Sequence, residues 1–216
     1  MTYIIRCLAV LAAILFFASG PAAAGTAEDV ARLQQGWAQI KYQVPAASQE
    51  PQFERLRSEA EQIAAHNPDS AEALIWYAII ESTYAGAKGG LGALKYVKNA
   101  KTTLERALAI DPEALSGSAY TSLGSLYYQV PGWPIGFGDN NKAQELLKKG
   151  LAVNPNGIDS NYFYGDYLLR IGDAANAELY LRKARQAPPR PGRALADEGR
   201  RGEIAQLLEK IEAGRK

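Results

Sequence analysis

One spacing recurs three times in this chain and restricts its fold more than any other feature. Ala100, Leu104, Ala107 and Pro112 stand four, three and five residues apart. Ala143, Leu147, Gly150 and Pro155 repeat those steps, and so do Ala177, Leu181, Ala184 and Pro189. Steps of three and four keep residues on one face of an α-helix. Small residues on that face let another helix approach closely. The proline falls just past the helix end, where its missing N–H and restricted predecessor stop the helix. The stop reads Asp111-Pro112 in one copy and Asn154-Pro155 in the next, and Asn67-Pro68 carries the same signal upstream.

A further helical segment precedes each of these. Tyr120, Leu123, Gly124 and Tyr127 lie at helical spacing before the Ala143 helix, and Tyr164, Gly165 and Leu168 before the Ala177 helix. Trp76, Tyr77 and Ala78 take that place before the Ala100 helix. Each unit therefore reads as a helix A, a turn and a helix B. These residues resemble tetratricopeptide repeats, whose unit of about 34 residues is an antiparallel helix pair. The third unit matches best: Gly165 and Ala177 are 12 residues apart, with Gly172-Asp173 at the tight turn. The corresponding steps are 22 residues from Ala78 to Ala100 and 19 from Gly124 to Ala143, so these units carry insertions of 10 and 7 residues.

The resemblance implies an all-α, right-handed superhelix of antiparallel hairpins, with the repeats over residues 70–190. A degenerate pair over residues 25–69 precedes them, in which Ala31 to Tyr42 and Phe53 to His66 are helical and Gly36 and Ile63 fit the pattern poorly. Residues 191–216 read as a connector and a helix with Ile204, Leu207, Leu208 and Ile211 on one face, suited to cap the last apolar surface of a solenoid.

The N-terminus sets the expected compartment. Arg6 precedes the apolar run Cys7 to Ser19, and Pro21-Ala22-Ala23-Ala24-Gly25 follows. This is the pattern of a secretory leader over residues 1–24, cut after Ala24. The run is shorter than the roughly 18 to 20 residues of a membrane span. Cys7, the only cysteine, begins the run instead of ending it, which is not the place of a lipidated cysteine. The expected product is periplasmic, with full secretion as the alternative, free of disulfides and not inserted in a membrane. Loss of Arg6 takes Lys+Arg from 24 to 23 against 23 Asp+Glu, so the product is near neutral, and nothing favours nucleic acid.

The inventory of reactive side chains argues against an enzyme. His66 is the only histidine and stands at a helix end. Histidine triads, thiol chemistry and transition-metal sites lack their participants, and no cofactor is expected. The acid pairs Asp111/Glu113 and Glu59/Glu61 read as solvated or capping carboxylates. The first insertion, Ala85 to Gly92, is glycine-rich, but Lys88 precedes the glycines and no strand leads into it, so it reads as an inter-helix turn and not a phosphate loop. The second, Val130 to Asp139, carries Trp133, Ile135 and Phe137 among two prolines and three glycines. It reads either as a loop packed on the helices or as the wall of a pocket.

By the same resemblance, helix A lines a concave groove. Tyr120, Tyr127 and Tyr164 match packing positions, whereas Tyr128 and Tyr162, with Asp166 and Arg170, are the groove candidates. The expected binding residues are therefore Tyr128, Trp133, Phe137, Tyr162, Asp166 and Arg170. The expected function is a non-enzymatic scaffold for a protein or peptide partner. The alternative is a carrier of a small amphiphilic ligand, or a transport-associated accessory protein that loosely resembles the T component of TRAP transporters. An open groove across several units would fit the first, and a closed pocket of a few hundred cubic ångströms by the Trp133 loop the second.

Overall fold

The computed structural model describes residues 21–214 and is helical throughout, with no strand among the described residues. The leader expected over residues 1–24 lies, as far as residue 20, outside the described residues. The helices are α1 (Pro21–Gln43), α2 (Glu50–His66), α3 (Ala71–Lys88), α4 (Leu94–Ile110), α5 (Ala114–Gln129), α6 (Asn140–Val153), α7 (Ile158–Arg170), α8 (Ala174–Arg185) and α9 (Ala194–Ala213). None of them is long and apolar enough to cross a membrane.

The recurrent spacing forms the seams of this array. α3 packs on α4, α5 on α6 and α7 on α8. The residues of the three-fold pattern in α4, α6 and α8 are all buried, with Leu104, Leu147 and Leu181 among the most enclosed side chains of the chain. In two of the three seams the partner helix offers glycine. A Cβ on Gly124 would lie 2.8 Å from Leu147 Cγ, and one on Gly165 would lie 2.9 Å from Leu181 Cγ. Both distances are shorter than carbon contacts tolerate, so the approach of A to B requires glycine there. Gly36 matches the pattern poorly but faces Leu56 in the same manner, at 3.1 Å from its Cδ1.

Local chemistry sets the helix starts. Ser70 accepts from the Ala73 amide at the start of α3 and Asp173 from the Asn176 amide at the start of α8. Asp139 accepts from the amides of Asn141 and Lys142 and so starts α6 directly after the second insertion. Each such cap contributes about 1 kcal/mol. The first insertion is shorter as a loop than as a sequence. α3 runs on through Lys88, and only Gly89 and Gly90, both at φ +65°, turn the chain before a 3-10 turn at Leu91–Ala93. The first turn of α5 departs from the rule for L-residues: Leu115, Ser116 and Gly117 are consecutive left-handed residues, at φ 48°, 57° and 73°. Only the glycine adopts that conformation without strain.

α9 covers the apolar end of the array as expected, with Ile204, Leu208 and Ile211 buried in the cluster formed with α7 and α8. It also does something the sequence does not announce. It returns to α1, so the first and last helices touch. Gly199 of α9 sits under Tyr42 of α1, where a Cβ would come within 2.4 Å of the ring. Lys41 lies 3.8 Å from Glu203, and the Tyr42 hydroxyl donates to the same carboxylate at 3.5 Å. The array is closed on itself.

Candidate functional site

Closure frames a cavity of about 1430 Å³ that is open to solvent on part of its boundary. Its walls come from the A helices α1, α3, α5 and α7, from the start of α4, and from the Pro188–Arg193 connector and α9, while α6 and α8 contribute nothing. Trp37, Trp76, Ile79, Val97, Leu126 and Phe163 give it apolar surface. Trp37 meets Trp76 edge-on at 6.1 Å and Tyr42 at 5.7 Å, forming one aromatic corner. Among the hydroxyls of the wall, those of Ser118 and Ser122 make no hydrogen bond within the described residues.

The wall also carries a charged cluster. Asp159 accepts from Arg190 Nη1 at 2.6 Å and from Arg200 Nε at 2.9 Å. Asp197, almost fully buried, accepts from Arg190 Nε at 2.7 Å and from the Arg190 amide at 2.8 Å. Arg200 also reaches Glu203 and lies 4.1 Å above the ring of Tyr162. Burial opposes ionisation of Asp159, but the guanidiniums of Arg200 and Arg190 outweigh it and hold its carboxyl down at about 2. Burial also pushes the Tyr162 phenol up to about 12. These carboxylates and guanidiniums hold α7, the connector and α9 together.

With every A helix turned to a common interior and the B helices α6 and α8 held outside by their glycine-lined seams, the architecture is settled. The fold is a tetratricopeptide-like solenoid, closed into a ring. The sequence matches no protein-family model and no curated protein. Among solved structures it is similar to MamA, at 19% identity over 76% of this chain and 88% of that one, with a TM-score of 0.45. It is similar to TTC0263, a thermophilic TPR protein of Thermus thermophilus, at 16% identity over 85% of this chain and 98% of that one, with a TM-score of 0.45. PilF of Pseudomonas aeruginosa is similar at 15% identity over 88% of this chain and 95% of that one, with a TM-score of 0.35.

The six residues expected to bind do not form one site in the solenoid. Tyr162 lines the cavity. Tyr128 does not: it is 3% exposed, its ring meets Tyr167 at 5.7 Å, and its hydroxyl donates to Asp166 Oδ2 at 2.7 Å. The expectation that Tyr128 faces the groove is corrected by this packing, and burial pushes its pKa well above the usual phenol value. Asp166 is engaged by that bond. Arg170 is exposed and lies 5.9 Å over the Tyr128 ring, so Tyr128, Asp166 and Arg170 form an interhelical cluster that does not line the cavity.

The second insertion divides between both of its readings. Phe137 tucks against Tyr127, with ring centroids 5.4 Å apart, and packs on the core. Ile135 reaches the cavity rim. Trp133 is 90% exposed and touches neither. His66 is exposed at the end of α2, with Nδ1 2.7 Å from the Gln62 carbonyl oxygen. Among the described residues no group of three or more His, Cys, Asp or Glu side chains comes together to hold a metal.

Sequence reasoning missed most of the cavity wall. Trp37, Ser122, Arg193 and Arg200 carry no motif, and only their positions on helix A faces or in the last connector could have drawn attention to them. The carboxylate pushed furthest upward lies outside the cavity. Glu81 is 2% exposed in the α3–α4 seam, accepts from Asn99 Nδ2 at 2.7 Å, and is pushed up to about 7 by burial.

Proposed function

We propose that the protein is a non-catalytic binding scaffold that encloses an extended segment of a partner protein in the cavity of its ring. The observation that carries this reading is the wall itself: it runs continuously over four A helices and mixes apolar side chains with hydroxyls that have no partner among the described residues. A polypeptide backbone needs both, because its side chains seek apolar contact and its amides need acceptors once water is displaced. The volume, about 1430 Å³, exceeds the roughly 300 to 1,000 Å³ of small-molecule pockets. The periplasm is the proposed compartment, on the strength of Arg6, the apolar run and Ala22-Ala23-Ala24.

A photo-crosslinking side chain placed at Ser122, inside the cavity, and at Lys148, on the exposed face of α6, tests the reading in envelope extract. The expected result is a partner polypeptide attached at Ser122 and absent at Lys148. Attachment at Lys148 alone would move binding to the outer face. A lipid-sized adduct at Ser122 with no polypeptide would replace the scaffold by a carrier of a small amphiphile.

A further inference from the structure

We propose that Arg193 is an anion-binding residue of this cavity, and that the bound segment presents a carboxylate to it next to an apolar side chain. The inference rests on the peptide-binding reading above and names the chemistry of what is bound.

The argument begins with pairing. Around the connector, Arg190 is held by Asp159 and Asp197, Arg200 by Asp159 and Glu203, and Lys41 by Glu203. Three cations share three carboxylates. Arg193 is the fourth cation of that wall and has none: no side-chain nitrogen of it bonds to a described residue, and its Nε is buried without a partner. Buried donors are satisfied almost everywhere in folded proteins, and this cavity-wall guanidinium has an unpartnered Nε and no carboxylate bonded to it. Burial, together with the neighbouring charge of Arg190, lowers the pKa of Arg193, against the pull of Asp159 and Asp197. An anion arriving there supplies the counter-charge that the pairing leaves out.

The surroundings narrow the ligand. The guanidinium carbon lies 4.9 Å from the Trp76 ring centroid, beside the aromatic corner of Trp37 and Tyr42. The cation–π contact with the indole restrains the fork, whose geometry favours a bidentate acceptor. A carboxylate matches one free guanidinium, whereas a doubly charged phosphate calls for more than one unpaired cation. The aromatic corner accepts the apolar group carried beside the carboxylate.

The test is an equilibrium selection with the purified protein. The probe is a pool of N-acetylated, C-amidated heptapeptides with Glu or Gln at the central position and Ala, Leu, Val or Ser elsewhere, read by mass spectrometry of the retained fraction. The wild type is expected to enrich Glu over Gln roughly tenfold, as a charge-assisted bidentate pair does. Arg193→Gln should lose that enrichment and Arg193→Lys should keep part of it, each with the helical circular dichroism of the wild type. Equal retention of Glu and Gln peptides by the wild type overturns the inference whatever the variants do, and leaves the peptide-binding reading standing. In the second arm, octanoate and octanol are compared as thermal stabilisers. Stabilisation by octanoate alone, lost in Arg193→Gln, with no peptide retained, keeps the anion site and overturns the peptide as its occupant. No enrichment in the first arm and no octanoate effect in the second overturns the site.

Discussion

The seams between helices and the junction that closes the ring are built from opposite materials. In the seams, leucine enters the space left by glycine, as Leu147 does at Gly124 and Leu181 at Gly165, and these contacts need neither water nor a counter-ion. The junction of α1 with α9 has one close contact of the same sort, Gly199 under Tyr42, and a smaller apolar share from Ala196 and Leu195, beside polar contacts in which Lys41 and Tyr42 meet a part-exposed Glu203. Apolar burial contributes far more than part-exposed ion pairs, which are worth about 0 to 1 kcal/mol. The array is thus held up by its seams and held shut by a much weaker contact.

The largest test of that contrast is Leu147→Ala. It removes an enclosed side chain from a seam whose other wall is a glycine and has no side chain to move into the gap. A loss of about 3 kcal/mol is expected, measured by denaturant unfolding, and a loss below about 1 kcal/mol would show that the seams are not the principal support.

Glu81 tests the same seams from their polar side. Its folded value of about 7 lies above the ordinary 4.5, so between those values the folded protein keeps a proton that the unfolded chain has released. Stability should therefore fall as pH rises from about 4.5 to about 7 and level off above, by an amount on the order of 2 to 3 kcal/mol. Glu81→Gln should flatten that slope. A slope unchanged in the variant would assign it to other groups.

Gly199→Ala has the smallest expected effect on global stability, about 1 to 2 kcal/mol, because a Cβ 2.4 Å from the Tyr42 ring forces that ring to move and the gain in helix propensity returns only part of the cost. Its effect should be local: faster amide hydrogen exchange in α1 and α9, with the seams protected as before. Unchanged protection in both helices would show that closure does not depend on this contact.

The seams are legible in the sequence because they obey a short period. Leu104, Leu147 and Leu181 are tied to their neighbours by steps of three, four and five residues, and the same physics acts at each. Ring closure is not legible, because it arises from the summed rotation of all the helix pairs and joins residues as distant as Tyr42 and Glu203. Tyr128 illustrates a finer limit. Consecutive residues on a helix point about 100° apart, and Tyr127 and Tyr128 are both partly or fully enclosed, each against a different neighbour: Phe137 of the loop and Tyr167 of α7. Adjacent tyrosines in a segment touched on several sides do not declare which of them faces the interior. In the sequence Arg193 is one more residue of a proline-rich connector, and its meaning appears only when the carboxylates around it are found to be taken.

The contact of Tyr42 with Glu203 spans 161 residues of chain, most of the described length. Contacts between such distant residues pay their loop-closure entropy before anything rewards them, and they form late. Each helix pair can form as it leaves the ribosome, but α1 must wait for α9. The interior thus stays accessible until the final turn of the chain is in place, and a segment already lying in it at that moment is encircled without having to thread an opening.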